Sequence, residues 1–244
     1  MDLDRDVALA GATPVDFETV RSPRRRRTIQ LSVTPEGAVR VAAPVWTPHA
    51  EIAAFVARRA GWIARQRARI NAASDRRLQF MSGEVIPFFG QPLELHVEPG
   101  PRRRATARRD GSRLHIELPA ALPAEIRAEV ASTAVRAWLT RQSAAYLDSH
   151  VDWWAAAVGR QPAAVHVRNQ RARWGSCAPD GTLRFNWRLA MFEPGIFDYV
   201  IVHELAHLAV RNHSPAFWTQ VERVLPDHRE RRATLRRAAA ALPL

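Results

Sequence analysis

The stretch Tyr199-Val-Ile-Val-His203-Glu204-Leu-Ala-His207-Leu-Ala-Val-Arg-Asn-His213 decides the fold. Positions four apart share one face of an α-helix, so His203 and His207 direct their imidazoles at a single point, with Glu204 one residue round from the first. His-Glu-x-x-His on a helix is a zinc-binding pattern in which the glutamate serves as general base. The flanking residues Val200, Ile201, Val202, Leu205 and Leu208 make the surroundings apolar. A dry site of this kind strengthens an ion's pull on bound water. Five-residue matches also arise by chance, and a histidine pair on an apolar helix is often simply packed, so the pattern needs support from its neighbours.

The neighbours supply it. Asn212 suits a left-handed helix stop. Ser214 and Pro215 read as the N-cap and first position of a second helix, SPAFWTQVERVL. His213 therefore falls in the corner between two helices, where its ring can turn back toward the first pair. A catalytic zinc takes three protein ligands and keeps one position open, and His203, His207 and His213 meet that need. The spacing from His207 to His213 equals that of the metzincin signature, but Val210 stands where that signature has glycine, so a metzincin is not inferred. Glu222, one helix further on, is the rival third ligand. His213 is preferred because a helix–turn–helix corner delivers it.

Just before this helix, AAVHVRNQ reads as a short strand, and ARWGSCAPDGTLRFNWRLAMF as two more joined by a Pro-Asp-Gly turn. An edge strand beside a metal holds a peptide in extended form through main-chain pairing. Cys177, in the first of this pair, is read as a packed, turn-adjacent residue and not as a ligand or nucleophile. A long helical pattern runs from about Pro123 to Val158, bent or broken near Ser149. Its apolar face includes Val130, Val135, Trp138, Leu139, Tyr146 and Leu147. Trp153 and Trp154 are read as helix-packing aromatics.

Residues 21–118 are expected to form a β-rich N-terminal part, and residues 1–20 a flexible tail. TIQLSV and AVRVAAP flank a turn at Pro35-Glu36-Gly37 and read as a hairpin. One helix runs from Thr47 to about Ala73. Gly83–Gly90 and LELHVEP read as further strands, and Asp110-Gly111 turns another hairpin. Residues 119–244 are expected to form the metal-binding catalytic part, either by themselves or as one compact unit with 21–118. His49, His96, His115, His150, His166 and His228 have no partner at ligand spacing and are read as structural.

With 47% hydrophobic and 25% charged residues, the 244-residue chain has the composition of a soluble globular protein able to bury a sizeable core. Its one cysteine rules out an internal disulfide. The first residues lack a basic start followed by an apolar run, and no stretch is long enough to span a bilayer. A cytoplasmic protein with no membrane partner is expected. The net charge of +12 rests on arginine alone, since the sequence contains no lysine. Arginine is scattered throughout, which favours solvation over a nucleic-acid surface. The Arg24–Arg27 run is read as a solvated edge.

Several motifs then agree in order: RSPRRRRTIQLSVTPEGAVRVAAP, FVARRAGWIARQ, FFGQPLEL, RNQRARWGSC, GTLRFNWRLAM, DYVIVHELAHL, NHSPAFW and LPDHRERRATL. From about residue 20 onward the chain resembles the YgjP-like metallopeptidases, a zincin group akin to SprT-type proteins. The resemblance implies an α+β zincin-like fold, zinc on His203, His207 and His213, and Glu204 as catalytic base. Phe88-Phe89-Gly90 and Asn169-Gln170 depart from the family's usual residues without touching metal or base.

The expected function is a zinc-dependent hydrolase, first of all a metallopeptidase acting on a peptide. Arg173 and Asn186 are the candidate donors to the anionic transition state. Two alternatives stand beside it. A small anionic substrate would make the protein a phosphoanhydride (nucleotide) hydrolase, which the arginines would suit. A structural zinc would make it a nucleic-acid-associated binding protein, but such a site needs no base and usually closes its fourth position with a protein ligand.

Overall fold

The computed structural model describes residues 4–10, 13–23, 25–34, 36–74, 78–170, 172–239 and 242. The fold is α+β, and the chain divides into two compact units, Met1–Arg77 and Leu78–Leu244.

The first unit contains strands β1 (Asp4–Ala10), β2 (Thr13–Ser22), β3 (Gln30–Val33) and β4 (Val39–Pro44), then helices α1 (His49–Arg58) and α2 (Ala60–Ser74). The sheet order is β1-β2-β4-β3, with β2 and β4 parallel and the other pairs antiparallel. Alternation drives it: Val15 and Phe17 on β2 and Val39, Val41 and Ala43 on β4 turn to one face, against Ile52 and Val56 of α1 and Ile63 of α2. Two expectations change here. Residues 4–10 and 13–20 are strand and not tail, because Val15, Phe17 and Thr19 bury every second side chain. The single helix expected over 47–73 is two, separated at Arg59. Arg25 donates to Gln30 Oε1 at 2.6 Å, while Arg24, Pro35 and Arg171 of the quoted motifs lie outside the described residues.

In the second unit, β5 (Val85–Phe88), β6 (Gln91–Gly100), β7 (Thr106–Asp110) and β8 (Arg113–Pro119) form a sheet of order β5-β6-β8-β7. The Asp110-Gly111 turn joins β7 to β8, with Gly111 at φ 56°. Helix α3 (Ala124–Val158) lays Ala131, Val135, Trp138 and Leu139 over Leu93, Leu95, Leu114 and Ile116 of that sheet. This packing ties residues 78–118 to the C-terminal helices, so the chain divides near residue 77 and not at 118. Nor does α3 break near Ser149. The Ser149 hydroxyl donates back to the carbonyls of Ala145 and Tyr146, both at 3.0 Å, and the helix continues to Gly159, whose φ of 77° ends it.

Past α3, β9 (Ala164–Arg168), β10 (Gly175–Cys177) and β11 (Thr182–Asn186) form a small sheet of order β10-β11-β9. A 3-10 turn, Trp187–Met191, leads into α4 (Pro194–Ala206), followed by α5 (Pro215–Val224) and α6 (His228–Ala239). Helix α4 is apolar on nearly every side because it is enclosed: Leu183 and Phe185 of β11, Leu147, Val151 and Trp154 of α3, and residues of α5 and α6 share its cluster. Polar contacts fix it as well, Arg231 Nη1 donating to the Gly195 carbonyl at 2.8 Å among them. Asp198 Oδ1 accepts from Tyr146 Oη at 2.8 Å and from Trp154 Nε1 at 3.0 Å. Among the described residues, no helix is long and apolar enough to cross a membrane.

Candidate metal centre

Helix α4 opens on Pro194, which gives up no needed N–H at that position, and ends with His203 and Glu204 in its last turn. It stops earlier than the sequence suggested. His207 is its C-cap, and the amides of Leu208, Ala209 and Val210 fold back onto the carbonyls of Leu205 and Ala206. Asn212 is not left-handed. Its Oδ1 accepts from the Ser214 amide at 3.3 Å and so sets up the corner into α5, where Ser214 is the N-cap and Pro215 the first residue.

This corner carries His213 back to the helix. The Nε2 atoms of His203 and His213 stand 3.1 Å apart, and one nitrogen from each of His203, His207 and His213 lies within 4.8 Å of the others. Ring centroids are 4.7 to 5.0 Å apart across all three pairs. In a tetrahedral site with metal–nitrogen bonds of ~2.0–2.1 Å, ligand nitrogens stand ~3.3–3.4 Å apart, so the trio fits zinc. Its chemistry fits too. The Nδ1–H of His207 donates to the Val210 carbonyl at 2.9 Å, which leaves Nε2 with its lone pair. Burial, then the neighbouring histidines, pushes His203 down to about 3, and burial also lowers His207. Both imidazoles are thus held neutral, the form that binds metal. Phe217 stacks on His207 with centroids 4.5 Å apart, and Trp218 lies along His213 at 5.8 Å.

Glu204 is 5% exposed beside this trio, and burial pushes its carboxyl up to about 8, with Arg173 pulling the other way. Its side chain lies flat against β10. A Cβ built on Gly175 would come within 2.6 Å of both Cγ and Oε1 of Glu204, so only glycine leaves the carboxylate its place. Strand β10 pairs with β11 on one side and, among the described residues, with nothing on the other.

The remaining candidates separate. Arg173 is exposed and close enough to act on Glu204. Asn186 is not a free donor: its Nδ2 gives hydrogen bonds to the carbonyls of Gln170 at 2.8 Å and Arg173 at 3.0 Å, while Oδ1 accepts from the Arg188 amide. Its job is to pin the loop before β10. Glu222 faces Arg229 at 3.7 Å and is outside the histidine cluster. Cys177, also outside it, is raised by burial, with Arg211 opposing.

Sequence reading missed Gly175, because nothing in a string shows which glycine a buried carboxylate rests on. It also missed a second grouping. Parallel pairing of β6 and β8 sets His96 opposite His115, and Glu98 sits two residues along the same face. Ligand atoms of these three also lie within 4.8 Å of one another, with His96 Nε2 3.5 Å from Glu98. Two histidines read as isolated are cross-strand neighbours.

A family model described as YgjP-like, metallopeptidase domain, matches residues 27–238. Among solved structures the chain is similar to the metallopeptidase zymogen abylysin of Pyrococcus abyssi. The two are 24% identical, the match covers 36% of this chain and 90% of that one, and the TM-score is 0.35. No curated protein matches the chain.

Proposed function

The chain belongs to the YgjP-like metallopeptidases, and from that premise we propose that it is a zinc-dependent peptidase with His203, His207 and His213 as metal ligands and Glu204 as general base. The observation that supports this best is the convergence of three ligand nitrogens next to one buried carboxylate. Zinc bound there would supply Lewis acidity, lowering the pKa of water from ~15.7 toward ~7.

The protein's own residues do the rest. Glu204 accepts the proton of the attacking water and returns it to the departing amine nitrogen. Gly175 leaves the space that lets its carboxylate do so. The open side of β10 offers main-chain groups to an extended peptide, which holds a substrate without demanding a particular sequence. Arg173, exposed and close enough to act on Glu204, is the remaining donor for a developing oxyanion. The nucleotide-hydrolase and nucleic-acid-binding alternatives have only the arginine excess behind them.

Zinc-loaded protein incubated with a peptide mixture and with nucleoside triphosphates, read by mass spectrometry with Glu204→Gln as blank, tests the reading. Peptide fragments absent from the blank support it. Triphosphate hydrolysis without peptide cleavage overturns it.

A further inference from the structure

Beside His203 and Glu204 lies a pocket of about 250 Å³, walled by Trp174 and Tyr199 and reaching α6 at Leu235. The volume suits one side chain; drug-sized ligands occupy ~300–1,000 Å³. Three charged groups besides the histidine line it: Glu204, Arg232 and Arg236. The two arginines are one helical turn apart and so project from the same face of α6. Helix α6 pairs Arg229 with Glu222 and Arg231 with Asp227, and its Arg237 donates to Thr234 Oγ1. Among the described residues Arg232 and Arg236 have no carboxylate partner. Arg232 is partly buried, and its guanidinium lies 4.7 Å over the Trp218 ring, which orients it. Both arginines act on the Tyr199 hydroxyl, pulling down a pKa that burial raises.

A guanidinium without a partner, held beside an aromatic wall, is suited to grip a planar anion through two parallel hydrogen bonds. A carboxylate, flat and with two coplanar oxygens, matches that fork.

We propose that this pocket binds a carboxylate of the peptide substrate through Arg232 and Arg236, either an acidic side chain next to the scissile bond or the free C-terminus. The inference rests on the peptidase reading. A carboxylate seated there brings the neighbouring amide beside Glu204, which lines the same pocket. Two of the arginines in the chain's excess thereby acquire a specific task.

Binding is measured by fluorescence anisotropy on zinc-loaded Glu204→Gln, so that turnover plays no part. The probes are a labelled pentapeptide with central glutamate, its glutamine counterpart, and a longer peptide carrying the glutamate four residues further away. Alanine pentapeptides with free or amidated C-termini distinguish the two sources of carboxylate. The central glutamate, or the free C-terminus, is expected to improve affinity by ~10-fold or more, as a charge-assisted pair does. The advantage should shrink to ~2-fold or less in R232Q/R236Q, and the exposed Arg236→Glu alone should cut it at least ~3-fold. Three results overturn the assignment: equal binding of acidic and neutral peptides, an advantage that survives R232Q/R236Q, or one that the displaced glutamate reproduces. Protein that binds with the expected preference yet cleaves nothing refutes the peptidase reading and leaves the pocket assigned. Protein that cleaves acidic and neutral peptides alike does the reverse.

Discussion

Replacing Gly175 with alanine isolates the placement of Glu204 from every other feature of the site. Gly175 is not among the glycines with positive φ, so alanine meets no backbone strain there, and its effect must come through the added methyl. That methyl would stand 2.6 Å from Cγ and Oε1 of Glu204 and 2.8 Å from Cδ. Carbon contacts settle near ~3.5–4.0 Å, so something must move by about 1 Å. Glu204 is 5% exposed on an enclosed helix, and β10 is held in register by β11, so neither partner gives way freely. A misplacement of ~1 Å at a reacting group costs ~100-fold in rate. Overpacking costs ~1–3 kcal/mol, of which the stiffer unfolded chain returns ~0.4–1 kcal/mol. The net loss, at most ~2.6 kcal/mol, should therefore lower the melting temperature by no more than ~10 °C. The histidines are not touched, so zinc affinity should stay within ~3-fold of the parent, because a tenfold change requires ~1.4 kcal/mol. Peptide kinetics, zinc titration and melting on the same preparations give all three numbers. Gly175→Ala turning over within twofold of the parent would refute the argument that β10 seats the base.

Other consequences follow from the same geometry. His213→Ala should cost most of the zinc affinity while Glu222→Ala keeps it, as a chelator competition will show; the opposite result would make Glu222 the third ligand. In metal-free protein two groups oppose each other with pH. Glu204, raised from 4.5 to about 8, contributes stability below pH 4.5 that is lost as pH climbs through 8; His203, lowered from 6.5 to about 3, contributes stability above pH 6.5 that is lost as pH falls through 3. The histidine contributions are common to parent and Glu204→Gln and cancel, so between pH 6.5 and 8 the parent should lose about 1–2 kcal/mol relative to that variant, measured by urea unfolding. Parallel curves for the two proteins would contradict the buried carboxyl. Asn186→Ala should destabilise by ~2–3 kcal/mol, since it removes the partners of two loop carbonyls and one amide, and melting curves will reveal it.

How legible this was in the sequence depended on the range of each interaction. The spacing of His203 and His207 is a property of one helix, so a single period disclosed it. His213 was also readable, because Ser214 and Pro215 mark a helix start locally. The helix end was not: Asn212 resembles a stop, but α4 had already closed on the carbonyls of Leu205 and Ala206. Long-range pairings were hidden for a deeper reason. That Gly175 lies on Glu204, that His96 faces His115, and that Arg232 and Arg236 reach the pocket from α6 all depend on which elements become neighbours. The first strands were misjudged as tail because their burial comes from alternation against β4 and α1, which their own sequence does not display. That the Asn186 amide is spent on the carbonyls of Gln170 and Arg173 is equally a matter of which loop folds against β11.

Anomalous diffraction at the zinc edge on crystals of the loaded protein tests the central claim most directly. The account predicts one strong peak per chain, ~2.0–2.1 Å from a nitrogen of each of His203, His207 and His213, with the fourth position open to solvent next to Glu204. A peak held by Glu222 or Cys177 in place of one of those histidines, or closed by four protein ligands, would contradict it.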